Sequence, residues 1–320
     1  MPARPSRELS KTRLRQFRLP GMSTARLPNL PHRCTGGIPL ASALDLLGRA
    51  MPELPEVETV VRSLHPFLPG LRIAAVHTGR KRLRRPLPHR ALCQLRGRTF
   101  QAVRRRGKWI VLELEDMCLL VHLGMTGRLQ LVSGNAPRPL HGHVTFSLEP
   151  GDLELRFSDP RRFGALVVLP ARAANQFLED QLGPEPFELN LAEFHKRLAG
   201  TRRTVKTALM DQRLLAGLGN IYSDEALYQA QIAPHRTANS LTRPECQRLL
   251  TAIREVLHRA IECRGSTIRD YIFGENGRGS YQEEFLVYGR AGAPCHRCQH
   301  PICRCSLAGR SCYYCPRCQT

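Results

Sequence analysis

The sequence predicts an α+β multidomain protein: an N-terminal β-sandwich flanked by helices, a helical domain, and a small metal-stapled tail. Three observations predict it. Short alternating or apolar runs recur at Ile73–Val76, Trp109–Leu114, Cys118–His122, Leu129–Val132, Val144–Leu148, Leu153–Phe157 and Ala165–Leu169, separated by Gly, Pro and Asn. That is strand chemistry at sandwich spacing. Residues 185 to 265 then carry apolar residues at a period of 3.6. Finally, seven of the 12 cysteines fall between Cys295 and Cys318.

Composition bounds the function. A chain of 320 residues suits two or three domains. With 42% hydrophobic residues it can build real cores. No run of 18 apolar residues occurs, which excludes a membrane-spanning helix. Lys and Arg number 48 against 27 acids, a net charge of +21. Such an excess points to a polyanion, with nucleic acid ahead of an anionic membrane surface. A basic protein from an arginine-rich proteome would show the same total.

The elements follow in order. Residues 1–51 form an extension rich in Pro, Ser and Arg, with nine basic residues and two acids before Met51. Three readings stand: a disordered segment, a transit peptide, or a misassigned start. From Pro55 the pattern changes. Val57, Val60, Val61 and Leu64 share one helix face, and Pro55, Glu56 and Glu58 suit a first turn. Stretch 70–110 holds 13 basic residues and no acid, which favours phosphate contact over a merely solvated face. Helices are expected over Leu191–Leu198, Thr204–Leu214, Ile221–Ala230 and Arg243–Cys263, the last entered through Thr242 and Pro244. Between the second and third lies Leu215-Ala216-Gly217-Leu218-Gly219-Asn220. Such a turn is either an anion-binding helix start or a plain connection. Glycines at 274, 277, 279 and 289 predict a mobile loop before the tail.

Cys295-x-x-Cys298 and Cys315-x-x-Cys318 are separated by 16 residues. Two such knuckles can place four thiolates around one tetrahedral Zn²⁺. A tail this short buries little apolar surface, so one structural zinc per chain would supply its folding energy. A disulfide pair or redox site is the other reading. Cys303, Cys305 and Cys312 are spare thiols or alternative ligands. Cys34, Cys93, Cys118, Cys246 and Cys263 are scattered and read as free thiols, which fits a reducing cytoplasm.

One series of motifs is more specific. It begins at Met51-Pro52-Glu53-Leu54-Pro55-Glu56 and continues through Arg106-Gly107-Lys108-Trp109, His122-Leu123-Gly124-Met125-Thr126-Gly127 and Asp159-Pro160-Arg161-Arg162-Phe163-Gly164. Leu182-Gly183-Pro184-Glu185-Pro186, Gly219-Asn220-Ile221-Tyr222 and Tyr288-Gly289-Arg290 complete it before the cysteine knuckles. Together they resemble bacterial formamidopyrimidine-DNA glycosylase, over about residues 51 to 320. Leu54 stands where the related endonuclease VIII branch has Gly, so the oxidised-purine branch is favoured over oxidised-pyrimidine excision.

The resemblance implies a DNA base-excision repair enzyme, a bifunctional glycosylase and abasic-site lyase. Its substrates would be 8-oxoguanine and formamidopyrimidines in double-stranded DNA. The implied domains are a β-sandwich catalytic domain over 52–184, a helix-two-turns-helix domain over 185–284 and a zinc finger over 285–320. Pro52 matches the nucleophile, Glu53 the group that moves protons at the sugar, Glu56 a supporting carboxylate and Lys108 the lysine beside the lesion. Met125, Arg161 and Phe163 match the wedge that fills the vacated stack. His122, Lys206, Asn220 and Arg310 match DNA-backbone ligands, and Thr267 and Tyr271 match contacts to the everted base. A monomer is the default. The alternative is a zinc-dependent protein that recognises damaged DNA without cleaving it.

One departure bears on the chemistry. As written, Pro52 is internal, so its nitrogen is a tertiary amide whose lone pair is delocalised into the carbonyl. Only a chain beginning at Pro52 has the secondary amine the reaction needs. A start at Met51 followed by methionine removal is the favoured expectation.

Overall fold

The computed structural model describes residues 51–79, 82–266 and 278–320. The expected loop contacts Thr267 and Tyr271 lie outside the described residues, as does the leader up to residue 50.

The chain opens on helix α1 (Leu54–Leu64), with Pro55 in its first turn. The Glu53 amide donates to Glu56 Oε2 at 2.9 Å, closing the helix start on its own side chain. Eight strands follow: β1 (Arg72–Thr78), β2 (Phe100–Arg106), β3 (Trp109–Leu114), β4 (Met117–His122), β5 (Arg128–Ser133), β6 (Gly142–Glu149), β7 (Leu153–Ser158) and β8 (Ala165–Pro170). A short helix α2 (His89–Cys93) precedes β2 and helix α3 (Ala171–Gln181) follows β8. They form two antiparallel four-stranded sheets, ordered β1-β6-β7-β5 and β2-β3-β4-β8. One core joins Ile73, Phe146, Leu155 and Phe157 of the first sheet to Ile110, Leu112, Leu119 and Val121 of the second, with Val57, Val60 and Leu64 of α1 packed in. The outer face of the second sheet is also covered, by Ala174 and Leu178 of α3 on Trp109, Val111, Cys118 and Leu120. Burial on both faces explains why β3 and β4 read as nearly continuous apolar runs, interrupted in β3 at Glu113.

Each predicted strand run lies within an observed strand. Strand β2 was not expected, because Arg104-Arg105-Arg106 masks its alternation. Those arginines are neutralised by neighbours instead: Arg104 pairs with Glu113, and Arg105 with Glu58 and Glu185.

The helical part contains α4 (Leu191–Ala199), α5 (Val205–Leu209), α6 (Asn220–Gln229) and α7 (Arg243–Glu262). The expected helix Thr204–Leu214 is corrected to five residues, after which the chain turns. Thr242 caps α7 with Glu245 in a reciprocal box. The tail carries one hairpin, β9 (Cys303–Leu307) with β10 (Arg310–Tyr314). It does not stand alone. Cys295, Ile302, Tyr313 and Cys315 share a core with Leu218, Tyr222, Tyr228 and Leu249. Leu54 joins that core while Val57 joins the sandwich core, so the first turn of α1 lies at the seam of both.

Candidate active site and nucleic-acid interface

That seam gathers the sequence-predicted reactive residues. Pro52 is buried at the start of α1. The Gly217–Asn220 turn closes on it. The Leu54 amide donates to Gly217 O at 3.0 Å. A Cβ on Gly219 would lie 2.3 Å from Glu53 Cδ, so only glycine lets this carboxylate in. At the head of α6 the Ile221 amide donates to Glu53 Oε1 at 2.9 Å. The group this glycine-rich turn receives is a carboxyl, and it is the protein's own. Glu53 Oε2 is buried with no hydrogen-bond partner among the described residues. Burial is the main force raising the Glu53 carboxyl to about 7, against the lowering pull of Lys108.

Glu56 is held differently. Its Oε1 accepts from Tyr222 Oη at 2.5 Å, the Ser266 amide at 2.7 Å and Ser266 Oγ at 3.0 Å. With Oε2 on the Glu53 amide, both oxygens are engaged, and the side chain braces the turn that carries Glu53. Tyr222 and Ser266 are supporting residues that sequence reasoning missed. Tyr222 stands inside a quoted motif, but nothing local shows that its hydroxyl reaches back 166 residues.

Lys108 follows the β2–β3 turn and is 7% exposed. Burial lowers its ammonium pKa, Glu53 and Glu56 pull it back up, and the Arg310 charge pushes it down again. No ion pair or hydrogen bond engages it among the described residues. Its turn is clamped by Glu185, which accepts from Arg105, Arg106 and the Gly107 amide at 2.7, 3.0 and 2.6 Å. Glu185 is the second supporting residue that the motif named without a role.

A second group lies on two neighbouring turns. Asp159 is fully buried, and its carboxylate accepts from Thr126 Oγ1 (2.5 Å), the Arg161 amide (3.1 Å) and the Gly164 amide (2.7 Å). A Cβ on Gly124, at φ +63°, would meet the Phe163 carbonyl carbon at 2.6 Å. These constraints hold the turn bearing Met125 against the turn bearing Arg161 and Phe163. Arg162 adopts φ +63° between them, uncommon for a non-glycine residue. Phe163 remains 39% exposed, with the guanidinium groups of Arg161 and Arg84 at 5.4 and 5.7 Å from its ring centroid. An exposed aromatic flanked by cations is a surface for stacking on bases.

The expected backbone ligands divide. Arg310 is exposed at the hairpin turn, close enough for its charge to act on Lys108. Asn220 begins α6, with Nδ2 3.4 Å from Tyr288 Oη and Oδ1 buried without a partner among the described residues. His122 ends β4, its Nδ1 accepting from the Gly124 amide at 3.1 Å. Burial, aided by Lys108 and Arg85, lowers its pKa to about 4, so it is a neutral ring with Nε2–H as donor. Lys206 is 1% exposed, pairs with Asp224 at 2.8 Å and donates to Ser311 O at 2.7 Å. Among the described residues its ammonium is engaged by a carboxylate and a backbone carbonyl. The side chain ties α5, α6 and β10 together.

The donor atoms of Cys295, Cys298, Cys315 and Cys318 lie within 4.8 Å of one another. Two sulfur pairs, 295 with 318 and 298 with 315, are 3.8 and 3.5 Å apart. Four thiolates at about 2.3 Å from a tetrahedral zinc are about 3.8 Å apart, so the cluster fits a metal ion of that kind. Cys303, Cys305 and Cys312 stand outside this cluster, on the hairpin.

Known proteins resemble this chain over most of its length. The formamidopyrimidine-DNA glycosylase N-terminal domain model matches residues 51–166, and the corresponding H2TH domain model matches 182–272. Formamidopyrimidine-DNA glycosylase of Syntrophotalea carbinolica is 45% identical over 273 residues, covering 84% of this chain and all of that one. The enzyme of Desulforamulus reducens is 46% identical over 275 residues, covering 84% and 99%. Among solved structures, a Lactococcus lactis Fpg mutant bound to Fapy-dG DNA aligns with TM-score 0.78 at 36% identity, covering 84% of this chain and all of that one. Lactococcus lactis Fpg bound to abasic-site DNA aligns at 0.76 with 34% identity, covering 84% and 99%.

Proposed function

Since the chain belongs to the formamidopyrimidine-DNA glycosylase family, we propose that it excises oxidised purines from duplex DNA and cleaves the resulting abasic site. The carrying observation is the juxtaposition at the seam. A proline, a buried carboxyl and a buried lysine, the carboxyl with one open oxygen and the lysine unpaired among the described residues, meet at the edge of a strongly basic sandwich. In this reading the mature chain begins at Pro52. The composition break and the start of the family match at residue 51 support that.

A freed Pro52 nitrogen has an ordinary α-amine pKa of about 7.7–8.0, so part of it is neutral at physiological pH. Its lone pair attacks C1′ as the bond to the damaged base breaks, and the nitrogen sheds its proton. Glu53, near 7, gives its proton to O4′ as the C1′–O4′ bond opens and can take one back. The resulting iminium is an electron sink. Loss of a C2′ proton expels the 3′ phosphate, and a second elimination expels the 5′ phosphate. Lys108 lies beside the lesion and its phosphates. Met125, Arg161 and Phe163 fill the gap left by the everted nucleotide, offsetting unstacking that costs roughly a few kcal/mol. His122, Asn220 and Arg310 hold the DNA backbone. The four clustered cysteines would hold Zn²⁺, which supplies the tail with folding energy.

A second reading has its own observation. While Met51 stays attached, Pro52 carries no N–H, and the protein recognises damage without cutting. A strand-cleavage assay decides between them. An 8-oxoguanine duplex is incubated with chain beginning at Pro52 and, separately, with the full 320 residues. Cleavage by the first and not by the second is the expected result. Tight binding without cleavage by both overturns the lyase reading.

A further inference from the structure

The hairpin carries a cysteine pair that the excision chemistry does not use. Cys305 and Cys312 are free thiols and direct register partners across β9 and β10. Opposed residues of antiparallel strands have Cα atoms about 4.5 to 5.5 Å apart. A disulfide spans about 4.4 to 6.8 Å, so this pair can bridge without strand movement. Cys303 faces Tyr314, one pair along the same face. Reaching Cys312 from there crosses a diagonal of about 7 to 8 Å, which is too far. The two partners are also unequal. Cys312 is fully buried, with Sγ 3.5 Å from Asp224 Oδ1, while Cys305 is half-buried and accessible.

We propose that Cys305 and Cys312 form a peroxide-oxidisable dithiol that closes to a disulfide, separate from the four metal-binding cysteines. Cys305 sulfur attacks one peroxide oxygen, and the O–O bond breaks. The departing hydroxide takes up the thiol proton as water, leaving a sulfenic acid. Cys312 sulfur then attacks Cys305 sulfur, the S–O bond breaks, and the hydroxyl leaves with the Cys312 proton as a second water. Two thiols and one peroxide give one disulfide and two waters. The electrostatics agree with that order. A hydrogen bond from Cys312 is the largest influence drawing the Cys305 thiol down to about 7, and the same contact pushes Cys312 up. The more acidic and more accessible sulfur attacks first.

The test uses the full zinc-loaded chain without DNA, so it stands apart from lesion excision. Stoichiometric hydrogen peroxide is added without reductant, and the protein is mapped by non-reducing peptide mass spectrometry. The expected product is a 305–312 linkage, lighter by two hydrogens, reversed by dithiothreitol, with zinc retained. Cys303→Ser keeps the linkage. Cys312→Ser instead accumulates a sulfenic acid on Cys305, trapped by dimedone. Linkage among Cys295, Cys298, Cys315 and Cys318 with zinc loss before any 305–312 product overturns the proposal. So does a bridge through Cys303, or a Cys305 that stays reduced. The unsubstituted chain alone yields these outcomes if a variant fails to fold.

Discussion

Two buried lysines divide the molecule into a part built for holding and a part built for reacting. Lys206, 1% exposed, has Asp224 at 2.8 Å and the Ser311 carbonyl at 2.7 Å. Lys108, 7% exposed, has two carboxylates in its field and no direct partner among the described residues. The carboxylates repeat the contrast. Glu225 accepts from the Leu286, Val287 and Tyr288 amides, whereas Glu53 keeps one oxygen unpartnered among the described residues. Burial raises both to about 7. A raised pKa therefore marks burial, and the open oxygen marks the site. Proteins leave a desolvated polar group unmatched at a cost, so it is found where a ligand completes it.

Breaking the holding pair carries the largest expected effect. Lys206→Met leaves Asp224 buried and unpaired and lowers unfolding free energy by about 3–5 kcal/mol, read from urea denaturation. Lys108→Met in the same assay changes stability by less than about 1 kcal/mol in either direction. Equal losses would erase the contrast. Next comes pH. The folded chain binds the Glu53 proton more tightly than the unfolded chain, from 4.5 up to about 7. The stability this carboxyl contributes is full below about pH 4.5 and is lost as pH rises to about 7. Glu53→Gln removes that loss. Its stability relative to the parent should grow by about 3 kcal/mol between about pH 5 and about pH 8, followed by thermal unfolding. A difference that does not change with pH would mean Glu53 is not desolvated.

Gly219→Ala sharpens the comparison at a smaller scale. Its Cβ would displace the Glu53 carboxyl, costing about 1–3 kcal/mol and lowering excision more than duplex binding. Smallest in stability are Arg161→Ala and Phe163→Ala, within about 0.5 kcal/mol, because both side chains are exposed. Their loss should appear instead as weaker binding to duplex with a damaged base, measured by fluorescence anisotropy.

Much of this was legible in the sequence, and the gaps have physical causes. Period-2 and period-3.6 patterns placed seven strands and the face of α1, because each buries one set of side chains in a core. Strand β2 was hidden by three arginines whose partners come from distant segments. Helix α5 was overextended, since Leu214 and Leu215 are buried by tertiary packing rather than by helical continuation. At the site, the family resemblance carried by the motifs named Pro52, Glu53, Glu56 and Lys108. It did not show that Glu185 clamps the Lys108 turn or that Tyr222 and Ser266 brace Glu56, contacts spanning 78 or more residues. The burial of Lys206 and its pairing with Asp224 were not legible either, because a motif gives residue type and position but not burial.

The most direct test is where the DNA becomes attached. Chain beginning at Pro52 is mixed with an abasic-site duplex and sodium borohydride, and the covalent product is digested and sequenced. Reduced sugar on the Pro52 nitrogen is the predicted result, with no adduct when Met51 precedes it. Sugar on Lys108 or any other side chain, or equal trapping with Pro52 acylated, would contradict the account.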